Sequence, residues 1–156
     1  MTSELVRNVG KSERRPTSSW LRPAIVAVVG AFVAYAVVQA IAAPELERQR
    51  LLSEVRQLDT VPDARLTFED SGAKPQLAIV SRTYASLAAP DTIIDHYVRR
   101  LDANAWHLVA SRTADGVTTT CFARMQDTAN LTVWPNSDPN RRYTLTLTWA
   151  GPTCLP

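Results

Sequence analysis

"YTLTLTW", residues Tyr143–Trp149, alternates without interruption: Tyr143, Leu145, Leu147 and Trp149 point one way, and Thr144, Thr146 and Thr148 the other. Successive side chains of an extended chain leave opposite faces of a sheet, so this period of two predicts a strand with one face in a core. The other face is wet or covered by a partner. The same period recurs upstream. "ARLTFE" (Ala64–Glu69) and "LAIVSRTY" (Leu77–Tyr84) flank the turn-rich "DSGAKP" and predict a β-hairpin with a longer loop. "WHLVAS" (Trp106–Ser111), "VTTTCFARM" (Val117–Met125) and "LTVW" (Leu131–Trp134) predict three further strands, with "ADG" at Ala114–Gly116 signalling a tight turn.

One segment between these strands changes period. In "APDTIIDHYVRRLDANA", from Ala89, Pro90 takes an early helical position and Ile93, Ile94, Tyr97, Val98 and Leu101 share one arc. That is an amphipathic helix of about four turns. The order β-β-α-β-β-β-β predicts an α+β domain over residues 60–156, a largely antiparallel sheet covered by one long helix.

Ahead of the domain, "PELERQRLLSEVRQLD" reads as a helix over residues 44–59. Pro44 suits a first turn, and Leu51, Leu52, Val55 and Leu58 fall on one side. It serves either as a juxtamembrane stalk, or as an amphipathic helix packed on its own domain. The domain organisation drawn from the sequence takes it as a stalk.

The stretch "PAIVAVVGAFVAYAVVQAIAAP" (Pro23–Pro44) holds no charged residue. A helix needs about 20 apolar residues to cross a bilayer, and residues 23–43 supply them. A signal peptide has a shorter apolar stretch nearer the start, although Ala40-Ile41-Ala42 before Ala43 is an acceptable cleavage site. The expectation is an uncleaved single transmembrane helix. Residues 1–22 form a basic tail carrying Arg7, Lys11, Arg14, Arg15 and Arg22 against Glu4 and Glu13, whereas Arg48, Arg50 and Arg56 beyond the span are interleaved with acids. That excess predicts a cytoplasmic N-terminus, with Trp20 at the interface and the folded domain on the outer side, periplasmic in a Gram-negative envelope. Ala27, Gly30, Ala31 and Ala34 have small-xxx-small spacings that would let a second helix approach.

With the tail set apart, the remainder has 12 basic and 13 acidic residues and no basic stripe, so nucleic acid is not an expected partner. Cys121 lies within a predicted strand and Cys154 in the tail after the last one. On the oxidising side of a membrane they are the expected disulfide, the alternative being two free thiols.

Candidate chemistry is sparse. His96 falls among Arg99 and Arg100 on the polar arc of its helix, and His107 alternates with Trp106 and Leu108; neither adjoins a carboxylate in a usable geometry. Ser71-Gly72-Ala73-Lys74 fits the S-x-x-K pattern of serine enzymes, but Pro75 follows at once and no K-T-G is present. Asn136, Asp138 and Asn140 are spaced like the first ligands of a calcium loop, yet Arg141 replaces its turn glycine and Leu147 its bidentate glutamate. No catalytic residue, metal ligand or cofactor is expected. Asn130-Leu131-Thr132 is a glycosylation sequon, of consequence only in a glycosylating pathway.

The functional expectation is a non-enzymatic accessory or scaffold subunit of an envelope assembly in the plasma membrane, docking on other membrane or envelope proteins or forming a homo-oligomer. The alternative is an anchored domain that binds a lipid, glycan or peptide. It would draw on a concave cluster of Trp106, Trp134 and Trp149.

Overall fold

In the computed structural model, residues 21–138, 142–151 and 154 are described, with the side chains of 21–24, 39 and 41 excepted. The basic tail, Trp20, and the Asn140 and Arg141 end of the calcium-like loop lie outside them. The chain forms two compact units, one ending at Ala36 and the other running Val37–Pro156.

Of the first unit, the described part is the opening of helix α1 (Leu21–Gln57). Ile25 to Val38 are exposed throughout, including Phe32 and Tyr35. By length and composition α1 holds one segment able to cross a membrane, and its most apolar stretch is wholly unburied.

The second unit is mixed helix and antiparallel sheet. Its strands are β1 (Arg65–Lys74), β2 (Leu77–Ala85), β3 (His107–Ala114), β4 (Val117–Arg124), β5 (Asp127–Val133) and β6 (Arg142–Trp149), with helix α2 (Pro90–Asp102) between β2 and β3. They build a single six-stranded sheet in the order β1-β2-β6-β5-β4-β3, every neighbouring pair antiparallel. The chain leaves β2 through α2, enters the far edge at β3 and returns by successive hairpins to β6. Both edge strands carry a register irregularity, at Leu66/Phe68 in β1 and Leu108/Ala110 in β3. Such bulges blunt an edge against unwanted pairing.

The register puts Tyr143, Leu145 and Leu147 of β6, Ala129, Leu131 and Val133 of β5, Phe122 of β4, and Val80 and Tyr84 of β2 on one face, all buried. They pack with Ile93, Tyr97 and Leu101 of α2 and with Leu51 and Val55 of α1.

Here the structure corrects the expected architecture. Among the described residues no separate helix starts at Pro44 and no single helix covers the sheet: α1 continues through Pro44, and its later turns join α2 over the sheet. A proline inside a helix removes one hydrogen bond, but the helix-favouring residues around it carry the backbone through. Burial of Leu51 and Val55 then fixes the following turns. The hairpin loop is also shorter than expected. β1 runs on to Lys74, and the turn is Pro75-Gln76, with Gln76 in the left-handed region at φ 61°. Ser71 and Gly72 stay extended because they pair with Val80 and Ile79, while Arg48 of α1 donates to Ser71 Oγ at 3.0 Å. Strand β5 begins four residues earlier than its apolar run, at Asp127, after a two-residue turn in which Met125 takes φ 54°. The "ADG" turn is tight as expected: Asp115 and Gly116 both have positive φ, 53° and 78°.

Candidate functional site

The face of the sheet turned from the helices is polar and regular. One row crosses all six strands through paired residues: Phe68, Thr83, Thr144, Thr132, Thr119 and Arg112. The next row holds Asp70, Ser81, Thr146, Asn130, Cys121 and Ala110. Hydroxyls bond along these rows, Thr83 to Thr144 at 2.8 Å and Ser81 to Thr146 at 3.0 Å. Threonine suits such positions because its branched Cβ fits the pleat while its hydroxyl finds a neighbour.

Beyond β6 the chain turns back over this face. Cys154 pairs with Cys121 of β4 at disulfide distance, with Cα atoms 5.8 Å apart. Gly151 lies against β6 so closely that a Cβ there would collide with Thr148 Cγ2. Thr128, Thr148 and Cys121 are buried although they belong to the polar face. Ala150 N donates to the Gln126 carbonyl at 2.9 Å, which ties the returning segment to the β4–β5 turn.

On the helix face, α1 is fastened by charge. Arg50 donates to Asp127 at 2.7 Å and also meets Glu47 and Glu54. Arg124 of β4 donates to Glu54 at 2.8 Å and to Asp127 at 3.2 Å, and its guanidinium lies 4.5 Å from the ring centroid of Trp106. Trp106 Nε1 donates to Glu54 at 3.1 Å. Burial disfavours the charged forms of Arg50 and Arg124, yet their carboxylate bonds outweigh it and both pKa values are raised. Nearer β1, the hydrogen bond from Arg82 holds the Glu69 carboxyl below its ordinary value against a smaller effect of burial. Tyr84 stacks on Tyr143 at 5.0 Å, and Tyr97 donates to the Tyr143 hydroxyl at 3.3 Å. Burial pushes Tyr143 up to about 12, and Tyr97 higher still.

The structure scatters the three tryptophans. Trp106 is fully buried and has no surface to offer a ligand. Trp134 is bonded to Arg142 through the backbone and lies under its guanidinium, 4.7 Å away, whereas Trp149 ends β6 seven residues further on. At about 3.4 Å per residue those two rings stand at opposite ends of the strand, so no cluster forms. Ala27, Gly30, Ala31 and Ala34 are exposed on α1, and a Cβ at Gly30 would meet nothing within 4 Å.

His96 bonds the Asp59 carbonyl at 2.8 Å, and His107 is exposed on β3 opposite Ala123. Ser71 and Lys74 lie on a strand, not on the helix that S-x-x-K chemistry needs. Among the described residues no three His, Cys, Asp or Glu side chains stand together to hold a metal ion.

Sequence reasoning missed the Glu54–Arg124–Asp127 network and the burial of Thr128. Only the helical spacing of Arg50 and Glu54 gave any local signal. No family model matches the chain, and neither curated proteins nor solved structures supply a match.

Proposed function

We propose that the protein is a single-pass, membrane-anchored accessory or scaffold subunit of an envelope protein assembly, acting by contact and not by catalysis. The observation that carries this reading lies in α1: its residues from Ile25 to Val38 are apolar and exposed, and Leu51 and Val55 of the same helix are core residues of the sheet domain. An exposed apolar run of that length calls for acyl chains or other apolar helices around it. The Cys121–Cys154 pair supports an oxidising compartment for the domain, on the outer side of a plasma membrane whose inner side holds the basic tail. Open space at Gly30 supports packing of α1 on another membrane helix, from a second copy or a different subunit.

The test is extraction of the full-length tagged chain from its native membranes in mild detergent, with intact mass determined first. Stoichiometric membrane partners on an uncleaved chain are expected. A solitary chain would refute the subunit reading, and a fragment beginning near Ala43 would refute the anchor.

A further inference from the structure

Contacts inside the second unit fix which end of the sheet lies nearest the apolar part of α1. Glu47 and Arg50 line one depression with Met125, Gln126, Asp127 and Trp149, so the β4–β5 turn and the end of β6 stand level with the turn of α1 that follows Pro44. The register brings the β1–β2 turn and the start of β3 to this same end: Ala78 pairs with Trp149, Trp149 with Asp127, and Ala123 with His107. Val61, beyond the last turn of α1, meets Tyr143 near the opposite end of β6.

The chain leaves little distance between that end and the apolar run. Residues 37–43, the last two apolar turns of α1, belong to the same unit, and Pro44, which closes the uncharged run, is already buried. Glu47 stands four residues past Ala43, about 6 Å along the helix. The headgroup region adds about 5 to 7 Å to each side of a bilayer's hydrocarbon. With the run in hydrocarbon, the β4–β5 turn stands among headgroups.

Its side chains suit that place. Met125 is fully exposed at φ 54°, a turn position that water-facing hairpins give to glycine, asparagine or aspartate, as Asp115-Gly116 does at the other end. Leu46 of α1, and Leu108 and Val109 at the start of β3, are exposed as well. The tips Pro75-Gln76 and Met125-Gln126 carry no charge, and Glu47, Arg50 and Asp127 behind them are bonded to one another. Leu87 is also exposed, but it follows β2 at the opposite end and stays in water.

We propose that this end of the domain rests in the headgroup layer of the bilayer, with Met125 inserted as an apolar anchor beside Leu46, Leu108 and Val109. The inference rests on the reading of α1 as a membrane span. An uncharged, partly apolar surface takes zwitterionic lipid, and the domain is thereby held against the membrane instead of swinging from it.

Met1 and Met125 are the only methionines, so a ¹³C-methyl methionine label on the full chain in phosphatidylcholine nanodiscs gives two signals, and Met125→Leu assigns them. Asp115→Met adds a reference methyl on the exposed β3–β4 turn. A trace of phosphatidylcholine carrying a nitroxide on its headgroup is expected to broaden the Met125 methyl, and the reference methyl at least about fivefold less, because the eight residues of β4 place it about 25 Å away. A soluble gadolinium chelate is expected to reverse that order. Should Asp115→Met fail to fold, the two agents compared at Met125 decide the matter.

A Met125 methyl broadened by the chelate and not by the lipid label would overturn the proposal, since the domain would stand clear of the bilayer. One spared by both agents would assign a protein cover, such as a second copy, and overturn it too. Alkaline carbonate extraction tells these failures from failure of the span: a retained chain with either result overturns the proposal alone, and a released chain overturns both.

Discussion

Asp127 begins β5 with its side chain 7% exposed and two guanidinium groups bonded to it. Removing one member of a buried ionic network leaves the others desolvated and unpaired, so Asp127→Ala is expected to cost about 3 kcal/mol. Thermal unfolding of the full chain in detergent, followed by near-UV circular dichroism, measures it; an unchanged midpoint would show the network to be idle. Two residues set opposite limits on pH. The pKa of Glu69 is lowered from 4.5 in the folded state, so its contribution is present above that value and fades as pH falls through the folded value. Glu69→Gln is expected to flatten the acid limb of a stability-versus-pH curve, and a limb of the same steepness would remove Glu69 as its source. Tyr143 is displaced the other way, from 10.0 to about 12, so its contribution is whole below pH 10 and is lost as pH rises towards the folded value. Phenolate absorbance should show Tyr143 ionising late, and Tyr143→Phe should delete that late step.

At the scale of the element, α1 decides the architecture. As a free stalk, its Leu51 would tolerate truncation; packed in the core, Leu51→Ala is expected to cost about 2 to 5 kcal/mol. Leu46, exposed on the same helix, supplies the control, and Leu46→Ala should leave the unfolding midpoint in place. Equal effects of the two substitutions would contradict the packing. The amphipathic spacing of Leu51, Leu52, Val55 and Leu58 was legible in the sequence, but the surface it meets was not, because a stalk and a packed helix present the same periodicity. In β5 the sequence under-reports the strand. Asp127 and Thr128 do not read as an apolar run, and only pairing with Ala123 and Arg124 on one side and Thr148 and Trp149 on the other makes them extended.

For the whole molecule, the 33-residue separation of Cys121 and Cys154 spans β5 and β6 and returns the chain to β4. In the chain-entropy account, closing such a loop contributes about 3 to 4 kcal/mol, so Cys154→Ser is expected to lower stability by about that amount. Alkylation of the native chain without reductant should add no mass at either cysteine. Two modified thiols would remove the bridge.

Some of this protein was determined by its sequence alone. Alternation of the kind seen in Tyr143–Trp149 marks the half-buried strands, the arc from Ile93 to Leu101 marks α2, and the uncharged run from Pro23 to Pro44 marks a segment able to span a bilayer, since each pattern is local and repeats with the period of its own backbone. Tertiary structure decided the rest: that α1 runs through Pro44 into the core, that Trp106 is buried against Glu54 and Arg124, and that Thr128 is buried on the otherwise polar face. Those placements join residues as far apart as Arg50 and Asp127, and no local period encodes a contact between positions whose proximity exists only once the sheet has closed.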